Sequence, residues 1–223
     1  MLQTSQDDAM QQTPETGGCM KKNIIALIAF LGIAMLFAFT SCAARTPTDT
    51  KPEAAVKGES KVLVAYMTWS GHLRTLSEWV ADETGGELFR ILVKDEYPTE
   101  YADTTDRAKT ELNQGIRPEL STHISAEAMK NYDTIYLGFP VWWYDVPMAV
   151  WTFAEEYDFS GKTIVPFFSH EGSSDGANSM NTVKKLFPNS KVLDNPLSIR
   201  GSKAASSEQE VRNWVKSNGH SKQ

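Results

Sequence analysis

One stretch sets the terms for the whole chain: Val62-Leu-Val-Ala-Tyr-Met-Thr-Trp-Ser-Gly-His-Leu-Arg-Thr75. Val62 to Tyr66 is an apolar run of the length and type of a buried strand. Thr68-Trp69-Ser70-Gly71 breaks it, and Leu73, Leu76, Ser77 and Val80 then fall on one side of a helix. The first turn of a helix leaves backbone N–H groups without partners and carries partial positive charge. A phosphate set down there meets oriented N–H groups and the hydroxyls of Thr68 and Ser70. The same residues would also serve an ordinary strand-to-helix connection with Ser or Thr as N-cap. The rest of the chain has to separate the two readings.

From residue 61 onward, short apolar runs alternate with helical stretches. Leu88 to Leu92 reads as a second strand after Thr84-Gly85-Gly86 ends the first helix, with Gly suited to the left-handed C-terminal turn. A helix is expected near Thr104–Asn113 and a short one over Ser125–Asn131. Thr134 to Phe139 is nearly continuous in apolar residues, as in a strand covered on both faces. Asp145 has the character of an N-cap, with Pro147 in the first turn of a helix reaching Tyr157. Lys162 to Phe168 is a fourth strand, Ala177 to Leu186 a helix stopped by Pro188, and Lys191 to Leu193 the start of a fifth strand. Ser207-Glu-Gln-Glu210 resembles a capping box for a last helix through Val215. This alternation predicts an α/β fold in three layers, a doubly wound five-stranded parallel sheet with helices on both faces. Right-handed crossovers place the strand C-termini along one edge, where ligands of such sheets bind.

Three loops on that edge have unusual composition. The first is the opening stretch. The second, Phe139-Pro-Val-Trp-Trp-Tyr-Asp-Val-Pro147, sets three aromatics side by side, suited to a flat apolar ligand or a protein interface; at least one should fold back onto the core. The third, Ser169-His-Glu-Gly-Ser-Ser-Asp-Gly176, is a Gly-rich polar loop, either a plain turn or a place where backbone amides approach a ligand closely. A phosphate cradle, an aromatic loop and a Gly-rich loop together suit a ligand with a phosphate tail and a flat ring, the shape of flavin mononucleotide (FMN).

Over roughly Lys61 to Asn218 the sequence resembles the flavodoxins. The resemblance is carried by Tyr66-Met-Thr-Trp-Ser-Gly71, Thr84-Gly-Gly-Glu-Leu-Phe-Arg-Ile91, Tyr132-Asp-Thr-Ile-Tyr-Leu-Gly-Phe-Pro-Val-Trp-Trp143 and Gly161-Lys-Thr-Ile-Val-Pro-Phe-Phe-Ser-His-Glu-Gly-Ser173. It implies strand order 2-1-3-4-5 and non-covalent FMN. Thr68, Trp69, Ser70, Gly71, His72 and Leu73 would surround the phosphate, Thr68 and Ser70 through hydroxyls and the others largely through N–H. Pro140, Val141, Trp142 and Trp143, with Ser169, His170, Glu171, Gly172 and Ser173, would flank the isoalloxazine ring. The chain departs from the family in one pair: His72-Leu73 stands where Asn-Thr is usual. An amide and a hydroxyl donor are thereby lost, each worth about 1.5–3 kcal/mol to a charged acceptor. A ring N–H of His72 would restore one donor, and Arg74 would add charge.

The N-terminal part points to export. Lys21-Lys22 precede an uncharged run from Ile24 to Phe39, then Thr40-Ser41-Cys42. A basic segment, an apolar segment and small residues before a cut site describe a secretory signal; the run is shorter than the roughly 20 residues of a comfortable membrane span, an uncleaved anchor being the other reading. Phe39-Thr-Ser-Cys42 resembles a bacterial lipoprotein signal, which implies lipid on Cys42 and anchoring at the periplasmic face or cell surface. Residues 1–42 are then a signal segment, with 1–19 an over-extended start or an unusual basic region ahead of Met20. Residues 43–60, rich in Thr, Pro, Lys, Glu and Ala, are a tether without enough apolar surface to order itself; 61–218 is the domain and 219–223 a tail. The only two cysteines are Cys19 and Cys42, so the domain has no thiolate for catalysis or metal. His123 and His220 lack acidic or His neighbours at ligand spacing, so no metal site is expected. A net charge of −6 gives no basic footprint for nucleic acid.

These observations favour an FMN-dependent electron carrier with an unidentified redox partner protein. Asp145, Glu171 and Asp175 would disfavour a negatively charged reduced ring. A flavin-dependent reductase is the nearest alternative, although the chain has no Gly-x-Gly-x-x-Gly nicotinamide fingerprint. A flavodoxin-like module that has lost flavin, using Trp142-Trp143-Tyr144 as an interaction surface, is the rival from another class. A hydrolase is disfavoured because neither Ser70 nor Ser169 sits in a Gly-x-Ser-x-Gly elbow.

Overall fold

The computed structural model describes residues 61–172 and 176–222. The signal segment, Cys42, the tether, Ser173 and Asp175 lie outside the described residues. In chain order the elements are β1 (Val62–Tyr66), α1 (His72–Thr84), β2 (Glu87–Arg90), α2 (Tyr101–Gln114), α3 (Ala126–Met129), β3 (Thr134–Pro140), α4 (Met148–Glu156), β4 (Thr163–His170), α5 (Ala177–Leu186), β5 (Lys191–Val192), β6 (Leu197–Arg200), a 3-10 turn (Gly201–Ser206) and α6 (Glu208–Ser217). All strand pairs are parallel and run in the order β2-β1-β3-β4-β5, the doubly wound order expected.

β1 is buried along its whole length because both faces of the sheet are covered. Leu63 and Ala65 join Ile135, Phe139, Phe153, Phe168 and Val183 in one apolar layer beneath α4 and α5. Val62, Val64 and Tyr66 join Leu73, Leu76, Val80, Phe167, Val211 and Val215 beneath α1 and α6. This is the period-two alternation of a strand, and each fully buried Phe or Leu contributes about 1.5–3 kcal/mol. Gly138 is required by packing: a Cβ there would fall into the Phe167 ring on the neighbouring strand.

The fifth strand differs from its expected form in being split. β5 pairs with Thr163–Ile164 and β6 with Phe167–His170, both against β4. Between them lies Asp194-Asn195-Pro196, where Pro196 has no N–H to give a ladder. The second half carries the strand edge as far as Arg200, level with His170.

Two helix starts also differ. α4 begins with Pro147 as its N-cap residue, because Val146 before a proline is biased away from helical backbone. The Asp145 carboxylate instead accepts from the Val146 N–H (2.8 Å) and from Asn178 Nδ2 and Thr182 Oγ1 of α5 (2.9 Å each). At α6 the capping box does not form; the Ser207 hydroxyl donates back to the Lys203 carbonyl of the 3-10 turn at 2.9 Å. Residues 219–222 pack on the domain, with His220 Nδ1 3.0 Å from the Tyr136 hydroxyl and the Lys222 N–H donating to the Glu83 carbonyl at 2.8 Å. Burial lowers the His220 pKa. Among the described residues no helix is long and apolar enough to cross a membrane.

Candidate functional site

The sheet order reverses between β1 and β3, so the loops after β1, β3 and β4 rise side by side. The register holds them level: Tyr66 is the neighbour of Gly138, and Pro140 of Ser169. Two further bonds prolong the ladder, Met67 N–H to the Gly138 carbonyl (2.9 Å) and Val141 N–H to the Ser169 carbonyl (2.8 Å).

After Met67 the chain turns through Thr68-Trp69-Ser70-Gly71. The Gly71 N–H donates to Thr68 Oγ1 at 3.0 Å, which closes the loop and leaves the Thr68 hydroxyl proton free to donate outward. Gly71 has φ 91°, a left-handed value that favours glycine, and a Cβ built there would meet nothing within 4 Å. α1 starts at once, with no side-chain cap and no acidic residue in its first turn. Its first N–H groups, from His72 onward, therefore keep both their donors and their partial positive charge. The Ser/Thr N-cap reading of this stretch is not the one the chain adopts. Leu73 is buried and contributes only its N–H. Ser70 is exposed. Trp69 turns aside, its indole N–H donating to the Pro98 carbonyl at 2.8 Å and its ring tilted against Tyr101 at 6.2 Å.

The aromatic loop after β3 makes a tight turn. Trp142 and Asp145 exchange both backbone bonds, at 3.0 and 2.9 Å. Trp143 and Tyr144 occupy its centre at φ 48° and 67°, where side chains are strained. Pro140 and Val141 are half-buried at its foot. Trp142 folds back onto the core, edge-on to Tyr97 at 5.0 Å. That ring is fixed in turn: the Tyr97 hydroxyl donates to Glu111 at 2.7 Å, Arg107 lies 4.3 Å over its face, and burial with the Glu111 bond pushes its pKa up. Trp143 leans on α2, donating to the Thr105 carbonyl at 2.9 Å with Lys109 Nζ 4.7 Å from its ring. Trp143 is still 39% exposed, and Tyr144, at 57%, is the more open of the two.

At the end of β4 Ser169 is buried, and just beyond the strand the Gly172 N–H donates to His170 Nδ1 at 3.0 Å with Gly172 at φ 96°. Glu171 is exposed, but its carboxylate reaches a glycine that sequence reasoning did not include. A Cβ on Gly201 would collide with Glu171 Oε1 and come within 2.5 Å of His72 Nδ1. The half-buried His72 ring thus packs against the start of the 3-10 turn. Arg200 lies along Gly172. The signal that could have found this pair is Leu197-Ser198-Ile199-Arg200 with Gly201, an alternating edge strand ending in a glycine.

A cavity of about 200 Å³ opens at the same edge, between the loops after β1 and β2, lined among others by Met67, Thr68, Trp69, Arg90, Ile91 and Tyr97. Among the described residues no three His, Cys, Asp or Glu side chains gather as metal ligands.

A doubly wound parallel sheet with an uncapped helix start at its switch point defines a mononucleotide-binding class of protein. Within that class the chain belongs to the flavodoxin family, whose model matches residues 61–218. It is similar to a Bacteroides uniformis protein assigned as a flavoprotein, at 30% identity and TM-score 0.60, over 70% of this chain and 98% of that one. A second such protein, from Bacteroides eggerthii, shares 27% identity at TM-score 0.60 over 71% and 97%. A Lactobacillus acidophilus flavoprotein in complex with FMN shares the fold at 20% identity and TM-score 0.53, over 66% and 97%. No curated protein matches the chain.

Proposed function

We propose that this chain binds FMN along the edge formed by the loops after β1, β3 and β4 and serves in electron transfer. The observation that carries the reading is the open start of α1, where Gly71, the free Thr68 proton and the first-turn N–H groups leave room and donors for a phosphate. The donor set fits a phosphate ester and needs no metal. Membership of the flavodoxin family and the FMN complex of the Lactobacillus acidophilus flavoprotein support the same choice of cofactor. FMN supplies the redox chemistry when bound. The chain's own residues would hold it and set its surroundings. Thr68, Ser70 and the N–H groups of His72 and Leu73 would take the phosphate, the Gly71 N–H being engaged by Thr68 Oγ1. The Trp142–Tyr144 turn and His170 to Gly172 would border the ring and keep water from it.

The proposal extends to location. A lipid on Cys42 and a tether over 43–60 would place the domain outside the cytoplasm, on a membrane surface, within reach of a redox partner protein. Radiolabelled palmitate should then enter the chain and be lost in Cys42→Ser.

The direct test is a visible spectrum of the purified protein with and without added FMN. Flavin bands that persist through gel filtration support the reading, and FMN fluorescence left unquenched at saturating flavin would refute it. One observation favours a flavin-free interaction module as second reading: Trp143 and Tyr144 present two exposed rings side by side on one turn, at 39% and 57%. A colourless protein would select it. If the protein is yellow, anaerobic mixing with NADH or NADPH separates reductase from carrier, since a carrier is not bleached.

A further inference from the structure

The end of β6 brings to this edge a cation that none of the three loops supplies. Arg200 is the neighbour of His170 across the β4–β6 ladder. Along β6 Leu197 and Ile199 are buried while Ser198 and Arg200 face the other way, exposed. The guanidinium lies flat along Gly172: a Cβ on that glycine would meet Cζ at 3.4 Å and both Nη atoms at 3.6 Å. The next residue, Gly201, is buried with His72 Nδ1 and the Glu171 carboxylate closed upon it. The Arg200-Gly201 pair thus touches both ends of the candidate site, the phosphate cradle through His72 and the Gly-rich loop through Gly172.

Arg200 also stands apart from most other arginines. Arg74, Arg107, Arg117 and Arg212 each hold a carboxylate, from Glu78, Glu111, Glu155 and Asp82 respectively. Among the described residues Arg200 has no comparable ion pair. A guanidinium laid on a glycine, without a carboxylate partner among the described residues and beside a loop expected to border a flavin, has its charge available to a ligand. Glu171 is the near group of opposite sign, and its effect on a ligand would oppose that of Arg200.

We infer that Arg200 is a cofactor residue, and that its charge stabilises the reduced ring of the bound flavin. The inference rests on the FMN reading above. Oxidised FMN has a neutral ring; uptake of two electrons and one proton leaves the reduced ring negatively charged near neutral pH. A fixed positive charge close by favours the charged form over the neutral one. Binding then becomes tighter for reduced than for oxidised FMN, and the midpoint potential rises. The junction of β6 and the 3-10 turn is a fourth wall of the site, acting against the carboxylates that would make the flavin more reducing.

The test uses the full-length protein loaded with FMN, its Arg200→Gln and Arg200→Lys variants, and dithionite as reductant. The dissociation constant for oxidised FMN is read by fluorescence quenching and the midpoint potential against a reference dye. Arg200→Gln should lose about tenfold in its preference for reduced over oxidised FMN, about 30 mV for a two-electron couple. Arg200→Lys should retain most of that preference, and Glu171→Gln should shift it the opposite way. A Gln variant within twofold of the parent, or Gln and Lys variants lowered equally, would overturn the inference. A parent protein that takes up no FMN at all would instead refute the flavin reading.

Discussion

The two ends of the candidate site are built on opposite principles. At the cradle, the one left-handed residue is Gly71, at φ 91°, and the loop is closed by its own Thr68. At the aromatic turn two left-handed residues are Trp143 and Tyr144, each of which costs about 1–2 kcal/mol relative to a relaxed backbone. That turn is held from outside, by Asp145 to Asn178 and Thr182 of α5 and by Trp143 to the Thr105 carbonyl of α2. The cradle is set by local sequence and the turn by distant side chains. Strain of the second kind persists only when the surroundings overdetermine it.

The sharpest way to break this contrast is Asp145→Ala. Three hydrogen bonds to one half-buried carboxylate would go, the clamp between the turn and α5 among them. We expect a loss of about 2–4 kcal/mol, since bonds to charged groups are worth more than neutral ones. By calorimetry that is a melting point lower by roughly 5–15 °C. An unchanged melting point would mean that the turn holds itself. Gly71→Ala comes next. Nothing crowds its Cβ, so only the left-handed backbone is penalised, at about 1–2 kcal/mol in chemical denaturation. Phosphate-dependent binding should suffer more than stability: FMN should weaken several-fold while riboflavin, without the phosphate, should not.

The same contrast explains what was legible in the sequence. The cradle and the first four strands could be read because their signals are local: apolar runs such as Val62 to Tyr66 and Thr134 to Phe139, and a glycine where φ is positive. The parallel sheet followed from the alternation, and its strand order from the family resemblance alone. Asp145 was misread as a cap because its true partners, Asn178 and Thr182, are more than thirty residues away and come near only in the folded chain. Arg200 and Gly201 were missed because Asp194-Asn195-Pro196 interrupts the fifth strand, and a four-residue edge segment carries little periodicity. The lean of Trp143 toward α2 depends on the Thr105 carbonyl, which no pattern in the loop itself announces.

Tyr144→Asn sharpens the comparison from the opposite side. Asn tolerates the left-handed region better than Tyr, and the exposed ring gives up little burial. The protein without flavin should gain about 0.5–1 kcal/mol on these grounds, read in urea denaturation. If Tyr144 borders the ring, FMN binding should weaken in the same variant. A gain in stability with unchanged FMN affinity would keep the strain argument and remove Tyr144 from the site.

The smallest effect is expected at His72, where the chain departs from its family. Its ring packs against Gly201 beside the Glu171 carboxylate, while the N–H groups of the first turn belong to the backbone and survive any substitution there. His72→Asn keeps those donors and restores a side-chain amide at the head of α1. FMN should then bind at least as tightly as to the parent, by isothermal titration. If His72→Asn weakens binding, the imidazole itself is a phosphate donor, and the cradle is no longer built from backbone and hydroxyl groups alone. That result would narrow the difference between the two ends of the site, because both would then depend on a side chain held in place by a neighbouring element.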